Sequence, residues 1–251
     1  DGYHIHLDKR ILKTPEKHAL SIPSTKPLLA LALATEWASL RSSKDAVKPH
    51  LVPLTQLSSR VIDIASTPAV RIGIVDNLLP YLDTDTLLCI APTTPPHLQE
   101  PGRKSLRELQ LEAAEDVVGA LKAGIPELQG VEIRMVDGDY GFLGNGGQEK
   151  EVREVLRSWA LGLDNWQLIG LERIVLAAKS FVVGARMVVE WGMEGGGRRW
   201  GVEEAARAAE IEVRFQTRQW GEVEDSHDVE KEDIRRQIGA GWLLITSEEK
   251  A

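Results

Sequence analysis

The chain has 251 residues, 43% hydrophobic and 27% charged, a balance close to the globular average that excludes disordered, collagen-like and low-complexity classes. Its 30 basic against 38 acidic residues leave a formal net charge of −8, which argues against a general nucleic-acid binder, since that needs a basic face. One cysteine, Cys89, excludes an internal disulfide and any multi-cysteine metal site. The longest uncharged apolar stretches end at Lys179 and Arg186, far short of the ~20 residues a membrane span needs.

The first 25 residues read as short strands: Tyr3, Ile5 and Leu7 alternate with polar residues, Asp8-Lys9 turns the chain, and Ala19 to Ile22 is a second apolar run. A helix is predicted from about Pro27 to Ser42, capped by Ser24 or Thr25 with Pro27 in its first turn. Leu54, Leu57, Val61 and Ile64 repeat at helical spacing over Pro53 to Ala65, and Thr67-Pro68 opens a third helix to about Leu82. Thr86 to Ala91 reads as a buried strand, and Val131 to Val136 alternates like another.

Between those two runs, four of the twelve prolines fall in the ten positions from Pro92 to Pro101, the mark of a loop or linker. Ser105 with Glu108 forms a capping-box pair for a helix to Gly124. The glycines at 144, 146 and 147 mark a flexible joint, and after it every signal is helical. One helix is expected over Glu149 to Gly162, then a second, apolar nearly all round, from the capping box of Asp164 and Gln167 to Glu190 or Trp191. Gly195 to Gly197 forms a loop, followed by helices over about Val202 to Gln219 and Val229 to Ile245. The fold class is α+β: a small mixed domain with short antiparallel strands over 1–145, then an all-helical bundle over 146–251.

The chemistry-bearing motifs are sparse. No glycine cluster has the spacing of a phosphate-binding loop or follows a strand and opens a helix, so no cofactor is expected. Gly-x-Ser-x-Gly is absent, Ser180 reads as a polar residue at a helix packing contact, and Cys89 reads as a small core hydrophobe. His4 and His6 share one face of a strand, with His18 as the nearest third metal ligand; two histidines alone do not make a site. No metal is assigned.

One segment stands apart. From Glu222 to Asp233 the chain carries seven acids and one lysine, a net −6 in twelve residues, against −2 for everything else. A patch of that density steers a basic partner surface. Asp228, Glu230 and Glu232 also complement the N-terminus of the last helix, which leaves Glu222, Glu224 and Asp225 unexplained. Trp220-Gly221 precedes the run, and tryptophan is enriched in binding hot spots. A second use of the same residues is a carboxylate/His-based, metal-dependent hydrolase built on Glu222, His227 and Asp228, since carboxylates beside a histidine can do acid–base work.

Ordered fragments along the chain carry a family likeness. They include Leu7-Asp8-Lys9-Arg10-Ile11-Leu12-Lys13-Thr14-Pro15, Leu20 to Ser24, Glu36-Trp37, Pro53 to Leu57 with Ile62-Asp63, and Tyr81 with Thr84 to Cys89. Lys179-Ser180, Phe215-Gln216 and Trp220-Gly221-Glu222-Val223-Glu224-Asp225-Ser226-His227-Asp228 follow. In this order they resemble the mitochondrial assembly chaperones that bind the alpha subunit of the catalytic sector of ATP synthase, the ATP-twelve type. Two stretches depart from the family pattern: Leu111 to Val117 lacks its aromatic-Asp-Pro segment, and Gly138 to Gln148 is longer than usual.

The resemblance implies a protein that is not an enzyme. It would hold the unassembled alpha subunit, prevent its aggregation, and yield it to the beta subunit. It implies the mitochondrial matrix, a targeting segment already removed, no membrane insertion and a monomer. The family's functional carboxylate region falls on Glu222, with Glu224, Asp225 and Asp228 in support, Trp220 as an anchor and His227 within the loop.

Overall fold

The computed structural model describes residues 2–141, 147–193, 200–221 and 227–248. Strand β1 (Gly2–His4) pairs antiparallel with β4 (Ser21–Pro23), and β2 (His6–Leu7) with β3 (Arg10–Ile11). Asp8 turns the second hairpin at φ 55, a left-handed conformation that aspartate tolerates better than most residues. These hairpins put Ile5, Leu20 and Ile22 into the core.

Helix α1 (Pro27–Ala38) starts as expected on proline, but its cap residue is Lys26, with no side-chain cap bond, rather than Ser24 or Thr25. It also ends four residues early. Helices α2 (Pro53–Asp63) and α3 (Pro68–Leu78) each finish in a turn of 3₁₀ helix, to Ser66 and Leu82. The α2 N-terminus is capped from a distance: the amides of Leu54 and Thr55 donate to the two Glu36 carboxylate oxygens at 2.7 and 2.9 Å. A carboxylate satisfying the free amides of a helix start combines hydrogen bonding with a favourable dipole.

The expected strands at 86–91 and 131–136 shrink to β5 (Cys89–Ile90) and β6 (Val136–Asp137), and these two pair parallel. The backbone groups that would have extended them are spent elsewhere. Leu88 and Cys89 amides donate to the Asp85 carbonyl, and the Thr86 amide donates to the Lys179 carbonyl at 3.2 Å. The Arg134 backbone is bridged on both sides by the Gln148 side chain, at 3.0 and 2.7 Å.

Helix α4 (Leu106–Gly124) carries the Ser105/Glu108 capping box at the expected place. Beyond it lie α5 (Lys150–Gly162), α6 (Asn165–Ala178), α7 (Phe181–Trp191), α8 (Val202–Ala209), α9 (Ile211–Trp220) and α10 (His227–Ile245). The single helix expected over 165–191 is two. Lys179 adopts φ 52, and the Ser180 hydroxyl caps α7 by accepting from the Val183 amide at 3.1 Å. The helix expected over 202–219 is likewise broken, at Glu210.

Helices α6 and α7 are the most buried part of the fold, and α10 lies along α6. Two glycines permit that approach: a Cβ on Gly170 or on Gly241 would press into the Ile245 or Ile174 side chain. One apolar cluster then runs from Ile5, Leu33 and Val75 through Leu88 and Leu121 to Val182 and Leu244. No helix among the described residues is long and apolar enough to cross a membrane.

Two buried charges tie distant parts of the chain together. Asp85 is wholly buried and accepts from the Leu87 amide at 3.0 Å and, from α7, the Val182 amide at 3.1 Å. Burial raises its pKa to about 6, against the pull of hydrogen bonds from the Ser180 hydroxyl and the α7 amides. Lys26 is buried too, and its Nζ donates to the carbonyls of Leu244 and Thr246 at 2.6 and 3.0 Å and to the Ser247 hydroxyl at 3.1 Å. It thereby ties the end of α10 to the start of α1. Burial lowers its pKa to about 8, with the Asp164 charge opposing.

Candidate functional site

The sequence-predicted surface falls at the corner where α9 leads into α10. Helix α9 buries none of its residues, although Phe215 is partly covered and the helix lies against α4. Trp220 is its last helical residue and stands 77% exposed. Gly221 follows at φ 87, with open space where a Cβ would be. Only glycine takes that conformation without strain, so the Trp-Gly pair sets the direction in which the chain leaves the helix.

Glu222, Glu224 and Asp225 lie outside the described residues. His227 and Asp228 form the first turn of α10; their side chains lie outside the description as well. Further along that helix Val229 is 64% exposed. Asp233 is engaged at home, accepting from Arg236 and Gln237 one turn on.

Trp220 also forms one wall of a wide cleft of about 1700 Å³. Phe215, Arg218 and Gln219 join it from α9, and the proline-rich segment with the first turn of α4 makes the opposite wall. The cations on that wall are committed. Arg103 pairs with Glu100 at 2.6 Å, Lys104 with Glu112 at 2.6 Å, and Arg107 grips Asp137 through two hydrogen bonds of 2.8 and 2.7 Å. The Arg107 hydrogen bonds hold the Asp137 pKa down near 2. The cleft is therefore lined by paired charges around an aromatic edge.

The other residues singled out in the sequence lie elsewhere. His4 and His6 are exposed on the N-terminal strands, while His18 bonds Asp63 at 3.0 Å, beside the Thr14 hydroxyl on the same carboxylate at 2.6 Å. Among the described residues no three His, Cys, Asp and Glu side chains gather as metal ligands would. Cys89 is half-buried, and burial, then the Asp85 charge, push its thiol pKa up, away from a reactive thiolate.

Several family-like fragments are joints of the scaffold. Thr14 and Asp63 tie the strands to α2, Glu36 caps α2, and Thr84 to Cys89 docks onto the break between α6 and α7. Thr86 completes that joint, its hydroxyl donating to the Ala178 carbonyl at 3.0 Å. Sequence reasoning missed Asp85 as the partner of Ser180, because the hydrogen bond between them exists only once residues far apart in the chain have met.

Comparison with known proteins decides the family. The sequence profile described as "ATP12 chaperone protein" matches residues 1–122. The mitochondrial protein atp12 of Schizosaccharomyces pombe is 32% identical over 241 residues, spanning 96% of this chain and 76% of that protein. The chain belongs to the ATP12 chaperone family. The mitochondrial ATP12 of Saccharomyces cerevisiae is similar at 33% identity, over 93% of this chain and 75% of its own. The crystal structure of Atp12 from Paracoccus denitrificans shares the fold, with a TM-score of 0.70 over 97% of this chain and 92% of that one at 22% identity. The ATP12 family serves the assembly of ATP synthase, and its named relatives here are mitochondrial proteins.

Proposed function

We propose that this ATP12-family chain acts in the mitochondrial matrix as a chaperone for the unassembled alpha subunit of the ATP synthase catalytic sector. It covers a surface on that subunit which would otherwise aggregate, and it gives way when the beta subunit arrives. It does so as a monomer, without nucleotide, metal or catalysis. The observation that carries the reading is the α9–α10 corner: an exposed Trp220 at the end of a helix with no buried residue leads straight into the most acidic segment of the chain.

The physics of such a corner fits capture and release. Exposed charges govern encounter rate and partner choice more than residence time, while a single aromatic anchor supplies contact that can be given up. Glu222 is the first charge after the Trp-Gly pair and the residue on which the proposal rests most heavily. Glu224, Asp225 and Asp228 extend the field, and His227 belongs to the same turn.

The test is light scattering of refolding alpha subunit with this protein added. Wild type is expected to suppress the rise in scattering, and Glu222→Lys is expected to fail while keeping the wild-type circular dichroism and melting temperature. Suppression by both would keep the chaperone role and move the contact surface. Suppression by neither would overturn the choice of client.

A further inference from the structure

Exposed cations elsewhere in this chain are commonly paired. Arg60, Arg157 and Arg235 each bridge to a carboxylate on another element, and Lys48, Arg103 and Lys150 pair within a turn of helix. The N-terminal strands break that habit. Lys9, Arg10, Lys13 and Lys17 all stand exposed, and none has an ion-pair partner among the described residues. Asp8 and Glu16 are the acids in the same stretch, so residues 8–18 carry a net +2 while the other 240 sum to −10.

Two turns present these charges. Strands β2 and β3 meet at Asp8-Lys9. The Lys13↔Ala19 bridge closes a second hairpin over Pro15-Glu16-Lys17, where the Thr14 amide donates to the His18 carbonyl and the Lys17 amide to the Thr14 carbonyl, both at 2.8 Å. Lys17 takes φ 69, a left-handed conformation that glycine adopts freely and a long side chain resists. No partner among the described residues holds its ammonium, so the turn keeps a charge in water against its own backbone preference.

Beside the first turn stands an apolar residue that the core leaves out. Leu7 is 43% exposed, and it pairs with Arg10 across the hairpin, which sets both side chains on one face. Tyr3, a few residues back, is 42% exposed. Exposed apolar groups among unpaired lysines and arginines are the two ingredients of interfacial binding. The apolar groups enter the headgroup region, while the long cationic stems reach the phosphates. The leucine favours a lipid over a nucleic acid, whose phosphates have no apolar layer behind them.

The net charge of −8 does not oppose such a contact. The most acidic segment leads into the start of α10, whereas the N-terminal strands join the end of that helix. Lys26 holds the Leu244 and Thr246 carbonyls there, and the Glu248 amide donates to the Thr25 carbonyl at 2.8 Å. The 19 residues of α10 put roughly 28 Å between its ends, about three times the screening length of physiological salt. A surface at the N-terminal turns therefore meets the local cations and little of the acidic field.

We propose that the two N-terminal turns are a peripheral contact for an anionic lipid surface, with Lys9, Arg10, Lys13 and Lys17 on the lipid phosphates and Leu7 at headgroup depth. No segment crosses the bilayer, and the α9–α10 corner is left facing water at the other end of α10. The inference does not rest on the choice of client, because lipid binding is read without one.

The probe is vesicle flotation with the full chain, using phosphatidylcholine alone or with about one third phosphatidylglycerol. Wild type is expected to float with the anionic vesicles only, and to be released when salt is raised from about 0.1 to about 0.5 M. Each basic residue at such a surface contributes roughly fivefold in affinity. The triple variant Lys9→Glu, Arg10→Glu, Lys13→Glu is therefore expected to lose about a hundredfold or more, with an unchanged melting temperature. Replacing the same three positions by the alternative cation (Lys9→Arg, Arg10→Lys, Lys13→Arg) should retain binding, and Leu7→Ala should lose about threefold. Trp220→Ala should bind vesicles as wild type does.

Failure of wild type to float with anionic vesicles would overturn the proposal, as would equal flotation with neutral ones or full binding by the charge-reversed variant. Loss of alpha-subunit protection by that variant, with no lipid binding by wild type, would overturn the lipid and assign the turns to an acidic face of the client. Lipid binding as expected, with no protection by wild type, would sink the choice of client and leave the membrane contact standing.

Discussion

The break between α6 and α7 and the corner between α9 and α10 are both places where a helix ends on a left-handed residue and another begins. At the first, the buried polar side chains answer the helix ends from within. Ser180 caps α7, the buried Asp85 carboxylate accepts from its amides, and Thr86 bonds the last α6 carbonyl. At the second, Gly221 takes a positive φ with open space beside it, Trp220 stands mostly in solvent and no residue of α9 is fully buried. The first corner is a joint, and the second is the handle of the proposed function. A family-like fragment lies at each, so likeness in sequence marks what the fold needs as readily as what a partner is proposed to touch.

The largest expected effect is on the joint. Asp85→Ala leaves several buried amides without an acceptor and is expected to cost about 3 kcal/mol, read as a fall in the urea midpoint. The same residue predicts a pH dependence. Its folded pKa of about 6 lies above the ordinary 3.8, so between those values the folded chain holds a proton that the unfolded chain has released. The contribution of Asp85 to stability therefore falls as pH rises from about 4 to 6, by about 3 kcal/mol across the window. Asp85→Asn should flatten that slope; an unchanged slope would move the titration to another group.

Lys26 gives the opposite sign. Its folded pKa of about 8 lies below 10.5, so above pH 8 the unfolded chain binds more protons and stability rises with pH. Lys26→Met is expected to abolish that rise. It should also cost about 2 kcal/mol at neutral pH, because the carbonyls at the end of α10 lose their donor.

These joints also explain what could be read from the sequence. Helix α4 was legible to the residue because its capping box is local: Ser105 and Glu108 satisfy each other three positions apart. The same held for the start of α6. The single helix expected over 165–191 failed because apolar periodicity runs through the break, and what stabilises the break is a carboxylate from another part of the chain. Glu36 was legible only as part of a fragment, since its role as the α2 cap needs the tertiary fold. The acidic segment was legible from charge alone, and Trp220 lies beside it at the exposed end of α9. The two glycines of α10 were not legible as different: nothing in Gly239-Ala240-Gly241-Trp242 says that Gly241 packs against Ile174 while Gly239 leaves space.

Glycine substitutions separate those two roles at smaller magnitude. Gly241→Ala should destabilise by about 2 kcal/mol, because Ile174 and the facing α6 backbone must move. Gly239→Ala should stabilise by about 1 kcal/mol, since the added methyl meets nothing and the helix gains. Paired thermal melts would show the two moving in opposite directions.

The smallest effect on stability belongs to the handle. Trp220→Ala removes a side chain that is mostly in water, and is expected to leave stability within about 0.5 kcal/mol of wild type. Its effect should appear in client capture alone.

That separation is tested most directly by one paired measurement: thermal melting and suppression of alpha-subunit aggregation on the same samples of wild type and a Trp220→Ala, Glu222→Lys double variant. The account predicts melting curves that coincide and protection that is lost. A double variant that still protects fully, or one that loses protection only because it unfolds, would contradict it.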